Sequence, residues 1–149
     1  IRIIRMINDL ILTDMKTIDV EGGSVLRVLR SNSNEFKGFG EAYFSTVKYK
    51  ITRGWKCHKK MTLNIVVPMG SIRFVVYDGR NSSSTFGNFQ EFILSRSNYN
   101  RLTIPPGVWV GFQGVGVEDN ILLNIANIPH DDNEVDHVPL EEFDYNWNI

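Results

Sequence analysis

Apolar side chains recur along this chain at every second position and in short runs, as at Leu63, Ile65 and Val67, at Ile72, Phe74 and Val76, and at Leu102 and Ile104. A period of two places alternate residues on opposite faces of a pleated strand, so these runs predict half-buried β-strands. Val25 to Arg30 and Glu41 to Tyr49 alternate in the same way, with Ala42, Phe44 and Thr46 facing opposite to Tyr43, Ser45 and Val47. Turn residues separate the runs at Glu21-Gly22-Gly23-Ser24, Pro68-Met69-Gly70-Ser71, Asp78-Gly79-Arg80-Asn81, Pro105-Pro106-Gly107 and Gly114-Val115-Gly116. The pattern predicts about ten strands at roughly 8–12-residue spacing, which is the rhythm of an all-β sandwich or barrel. Helical stripes are scarce; the two candidates for a helical turn are Ser33 to Phe36 and Arg96 to Asn100. After Pro129 the chain is acidic and polar until Phe143, Tyr145 and Trp147 alternate, which predicts a surface crossing followed by an aromatic strand docked on the barrel.

With 149 residues, 42% of them hydrophobic, the chain suits one domain with a core of useful size. The net charge is −1 and the cations are scattered, so no basic stripe offers itself to a nucleic acid backbone. Cys57, the single cysteine, has no partner for an internal disulfide, and no Cys/His spacing marks a structural zinc site; a cytoplasmic protein fits. Ile1 to Leu12 is interrupted by Arg2, Arg5, Asn8 and Asp9, unlike a signal-peptide core or a membrane span. Met6 precedes a sensible domain start, so Ile1 to Arg5 read as an upstream extension.

Asp78 to Gly87 reads D-G-R-N-S-S-S-T-F-G, followed by Phe89, Leu94-Ser95, Leu102 to Gly107 as L-T-I-P-P-G, and Gly111-Phe112. This stretch resembles the dTDP-4-dehydrorhamnose 3,5-epimerase family, whose pattern is D-L-R-x-x-S-P-T-F-G, an L-S pair and I-P-x-G-F-A-H-G-F. The spacing matches without a gap from Arg53 to Glu134. The resemblance implies a cupin-type jelly-roll barrel, a homodimer, and a dTDP-linked 4-keto-6-deoxy sugar bound in the barrel mouth with no metal or redox cofactor. A 4-keto group acidifies neighbouring C–H bonds, so the implied chemistry needs a base, an acid and an anchor for the pyrophosphate.

Against that pattern the chain departs at the chemical positions. The family's R-G-L-H-x-Q is here Arg53-Gly54-Trp55-Lys56-Cys57-His58, with Lys56 in place of the basic histidine. The same residues resemble the R-G-x-H-A-H-K motif of the dTDP-sugar 3,4-ketoisomerases, which places its second histidine at His58 and its lysine at Lys59. Lys56 becomes a base if burial lowers its pKa; His58 needs less tuning. On a regular strand the two share a face with Gly54, while Trp55 and Cys57 face away. The proton-donating tyrosine of F-L-Y-K falls on Leu123, and the histidine of the second motif falls on Val110. The glutamine and asparagine of Q-x-N-x-S fall on Glu41 and Tyr43, Ser45 is retained, and the N-terminal substrate-binding arginine falls near Gly22.

The candidate catalytic residues are therefore His58 and Lys56, and the candidate substrate-binding residues are Arg53, Glu41, Tyr43, Asn64 and Asn124. Arg53 suits phosphate because a planar guanidinium matches its oxygens. Metal-binding cupins use paired histidines plus a glutamate; with Lys56-Cys57-His58 here and His130 and His137 in the polar tail, no metal site is expected. Ser82 to Thr85 lacks the setting of a nucleophile or phosphate loop and reads as a strand connection. Trp55, Trp109 and Trp147 read as core or dimer interface, and Ile4 to Leu12 as an edge strand available for swapping. Two functions follow: a nucleotide-sugar epimerase or ketoisomerase for glycan synthesis, and a non-enzymatic sugar-binding barrel whose mouth is plugged by Leu123, Val110 and Trp109.

Overall fold

Strands carry most of the regular structure in residues 6–149, the part of the chain that a computed structural model describes. In chain order they are β1 (Ile11–Asp14), β2 (Thr17–Val20), β3 (Gly23–Leu26), β4 (Glu41–Thr46), β5 (Thr52–His58), β6 (Leu63–Met69), β7 (Ser71–Tyr77), β8 (Phe89–Ser95), β9 (Asn100–Ile104), β10 (Trp109–Gly114), β11 (Ile121–Ala126) and β12 (Val135–His137). Two five-stranded antiparallel sheets, ordered β1-β9-β6-β11-β4 and β12-β5-β10-β7-β8, face one another as a cupin jelly roll. The hairpin β2–β3 pairs with neither. No helix long and apolar enough to cross a membrane is present among the described residues. Ile1 to Arg5, read above as an extension, lie outside the described residues.

The period-two runs form the core. Ile65 and Val67 from β6, Ile72, Phe74 and Val76 from β7, Leu102 and Ile104 from β9 and Leu122 from β11 meet between the sheets. Phe74 is fully buried, which contributes about 1.5–3 kcal/mol relative to leaving it in water. The loop after β7 is tied to the buried carboxylate of Asp78. It accepts hydrogen bonds from Arg80 N (3.0 Å), Arg80 Nε (2.9 Å), Ser83 Oγ (2.7 Å) and Thr85 Oγ1 (2.6 Å). Ser83 and Thr85 thus tie this connection to Asp78.

Several expectations need correction. Ser33 to Phe36 and Arg96 to Asn100 form turns and the start of β9: Phe36 N donates to Ser33 O (3.1 Å), and Asn98 N donates to Ser95 Oγ (3.0 Å). Ile11–Asp14, which overlaps the segment Ile4 to Leu12 read as an edge strand, pairs with β9 of the same chain, and Ile4 and Arg5 lie outside the described residues. The tail docks its aromatics without forming a strand. Its carbonyls are taken by side chains, Arg73 donating to Asn146 O (3.0 Å) and Gln113 Nε2 to Trp147 O (2.7 Å). Phe143, Tyr145 and Trp147 pack on the outer face of the β5-β10-β7-β8 sheet against Trp55, Tyr77, Phe89 and Trp109.

Candidate active site

The mouth of the barrel is organised by an irregularity in β5. Lys56 pairs with Val110 and Arg53 with Phe112, so β5 spends Gly54 and Trp55 opposite the single residue Gly111. The extra residue brings Arg53 onto the inner face with Lys56 and His58, where strict alternation would have sent it outward. Gly54, at φ 154°, has no room for a side chain: an added Cβ would stand 2.8 Å from Gly111 Cα. Trp55 and Cys57 face away from the cavity, as alternation required, and burial pushes the Cys57 thiol up to about 11.

Two adjoining chambers occupy the mouth. The inner one, about 80 Å³, has an apolar floor including Phe74 and Leu122 and polar walls from Arg53, Ser45 and Asn124. The outer one, about 290 Å³, is bounded by Glu41, His58, His130 and His137. Tyr43 and Lys56 line both. The Arg53 guanidinium donates to Ser45 Oγ (2.7 Å) and Thr46 O (3.1 Å) and lies over the Phe112 ring. Asn124 Nδ2 donates to Tyr43 Oη (3.1 Å), and Asn124 Oδ1 accepts from Asn64 N (3.1 Å), which fixes the amide.

His58 is 5% exposed, and its Nδ1 is hydrogen-bonded to Glu134 Oε1. Glu134, 4% exposed, also accepts from the amides of Lys60 (3.1 Å) and Met61 (3.2 Å) through Oε2. Burial opposes its ionisation, yet the bonds from His58, Lys60 and Met61 prevail and hold its pKa below the ordinary value. Burial lowers the His58 pKa, and the hydrogen bond and charge of Glu134 offset only part of this. A neutral imidazole beside a carboxylate keeps its proton on Nδ1, so Nε2 carries a lone pair; that atom is buried with no hydrogen-bond partner. Burial, with Arg53 nearby, also lowers the Lys56 pKa, against the pull of Glu134. Lys56 forms no ion pair among the described residues.

The structure therefore gathers His58, Lys56, Arg53, Glu41, Tyr43 and Asn124 around one opening. Asn64 is not with them. Leu63 and Ile65 line the inner chamber, so Asn64 between them points out of the barrel, donating to Glu35 O (3.1 Å) and accepting from Thr103 Oγ1 (2.6 Å). Leu123 also faces outward, opposite the exposed Phe44, while Leu122 and Asn124 face in. Trp109 packs on Phe143, so of the three expected plugging residues only Val110 lines the cavity.

Glu134, His130 and His137 were not legible as site residues. The acidic tail reads as solvated, although Val135 and His137, two apart on β12, carry a period-two signal; His137 is the register partner of Lys56. Among the described residues no group of three or more His, Cys, Asp and Glu side chains could hold a metal ion.

The jelly-roll barrel is the architecture of the cupin-type epimerases. The model of the dTDP-4-dehydrorhamnose 3,5-epimerase family matches residues 5–147, and the chain belongs to that family. It is similar to a dTDP sugar isomerase from Desulfovibrio desulfuricans G20 of known crystal structure, with 38% identity, 95% of this chain and 92% of that chain covered and a TM-score of 0.91. The dTDP-4-dehydrorhamnose 3,5-epimerase of Elizabethkingia anophelis NUHP1, at 18% identity and a TM-score of 0.84 over 99% of this chain and 85% of that one, shares the fold. A probable low-salt glycan biosynthesis epimerase of Haloferax volcanii is 28% identical over 139 residues, covering 91% of this chain and 89% of its own.

Proposed function

We propose that this protein is a nucleotide-sugar epimerase or isomerase acting on a dTDP-linked 4-keto-6-deoxyhexose in deoxysugar or surface-polysaccharide synthesis. The observation that carries this reading is the buried, unpartnered Nε2 of His58 with Glu134 behind it. His58 lines the outer chamber, and a lone pair set by an ionised carboxylate is what proton abstraction beside a ketone requires. The glycan-synthesis role of the Haloferax volcanii relative supports the substrate class.

In this mechanism His58 Nε2 removes the proton next to the keto group, and Glu134 stabilises the imidazolium that results. Lys56, with no anion of its own, stands as donor to the oxygen where the enolate charge develops. Arg53, held by Ser45 and Thr46 with donors to spare, anchors the pyrophosphate, and Asn124 and Glu41 supply polar contacts to the sugar. These steps are carried by side chains. The binding-only alternative is less well supported, because Leu123 and Trp109 do not line the opening. The protein works in the cytoplasm as a homodimer in this reading; hairpin β2–β3, which exposes Ile18, Val20 and Val25, offers a surface for a second copy.

The test is incubation with dTDP-4-keto-6-deoxyglucose in heavy water, followed by mass spectrometry and proton NMR of the ring. The wild type should incorporate deuterium beside the keto group, and His58→Ala should keep its fold and lose incorporation. Lys56→Ala should slow it. Unchanged exchange in both variants, or none in the wild type, refutes the assignment.

A further inference from the structure

Inversion at carbon needs a second proton source, and β11 supplies none: its inward residues at the inner chamber are Leu122 and Asn124. A hydroxyl reaches the same space from the neighbouring strand. Tyr43 on β4 lines both chambers, whereas His58 projects from β5 of the other sheet into the outer chamber that the two residues share. Asn124, itself 1% exposed, donates to Tyr43 Oη, which leaves the phenolic proton free to point into the cavity.

We propose that Tyr43 is the proton donor, acting from the sheet opposite the base, so that the reaction inverts configuration. The inference rests on the sugar-epimerase reading above. A ring held between the sheets presents one face to His58 and the other to Tyr43. The proton on the carbon next to the ketone goes to His58 Nε2, its electron pair forms the C=C bond, and the C=O π pair moves to oxygen as an enolate. The enolate carbon then takes the Tyr43 proton from the other face, the carbonyl reforms, and tyrosinate and imidazolium re-equilibrate with water. Asn124 is a positioning residue, holding the phenol through its amide.

The experiment compares wild type with Tyr43→Phe on dTDP-4-keto-6-deoxyglucose in heavy water, with melting temperatures as a check on fold. The wild type should give deuterated product of inverted configuration. Tyr43→Phe should form inverted product on the order of 100-fold more slowly. It should still place deuterium at the same carbon with retained configuration, because His58 abstracts the proton, exchanges with solvent and returns deuterium to the same face. That retained exchange also certifies an intact base. Wild-type inversion in Tyr43→Phe overturns the assignment of the donor and leaves the epimerase reading standing. Loss of exchange together with inversion, at an unchanged melting temperature, also overturns it, because the phenol would then be needed before any proton moves. Neither exchange nor inversion in the wild type overturns both readings.

Discussion

Glu134→Gln is the sharpest probe of the site, because glutamine has the shape of glutamate and one acceptor oxygen fewer. The carboxylate accepts three hydrogen bonds, one from His58 Nδ1 and two from the amides of Lys60 and Met61. A glutamine with its oxygen toward His58 would press its NH₂ against both amides and strand two buried donors, at about 1–3 kcal/mol each. The opposite rotamer keeps the amide bonds and turns its NH₂ on Nδ1, which must then accept. The imidazole answers by carrying its proton on Nε2, and the lone pair there disappears. The second arrangement is cheaper, so the variant should fold and lose deuterium exchange by on the order of 10³-fold. The residual activity should also report the lost charge. Glu134 raises the His58 pKa against burial, so its removal lowers that pKa further and moves the acid limb of kcat/KM to lower pH. Proton NMR in heavy water across a pH series measures both. Exchange at the wild-type rate with an unmoved acid limb would refute the role given to Glu134.

Two predictions concern the scaffold. Burial opposes the ionisation of Asp78, yet hydrogen bonds from Arg80, Thr85 and Ser83 prevail and hold its pKa far below the ordinary value of 3.8. A depressed folded pKa means stability that is fully present above the unfolded value and is lost as pH falls toward the folded one. Asp78→Asn should therefore cost about 2–3 kcal/mol in urea unfolding at pH 7 and flatten the loss of stability that the wild type shows below about pH 4; equal curves would contradict this. Gly54→Ala sets a Cβ 2.8 Å from Gly111 Cα, and backbone cannot yield as a flexible side chain can. It should cost about 2 kcal/mol or more and slow exchange by displacing Arg53 and Lys56 together; a variant of wild-type melting temperature and rate would show that this close approach is dispensable.

Much of this architecture was legible in the chain because strands with one wet face keep period two. Tyr43 and Ser45 on β4, and Lys56 and His58 on β5, were placed on shared faces by that rule, while the family resemblance marked Glu41 and Tyr43 for the pocket. Where the rule has no purchase, the sequence misleads. The first five residues of β6 are buried on both faces, so polarity could not say which way Asn64 points. Arg53 reaches the pocket only through the extra residue at Gly54 and Trp55, which is a property of pairing with β10 and invisible in β5 itself. Leu123 matches a family position that faces away here. Glu134 lies 76 residues from His58 in an acidic run, where a buried carboxylate looks like any solvated one.

The alternation along β5 has an evolutionary reach. One strand speaks in two registers: Arg53, Lys56 and His58 line the cavities, while Trp55 and Cys57 face the other way, Trp55 packing on Phe143 and Trp147 of the tail. Because neighbours on the strand pack against different surroundings, the inward letters can be rewritten without disturbing the outward ones. A lineage can thereby exchange one base for another, or move its acid to an adjacent strand, while its barrel stays recognisable throughout.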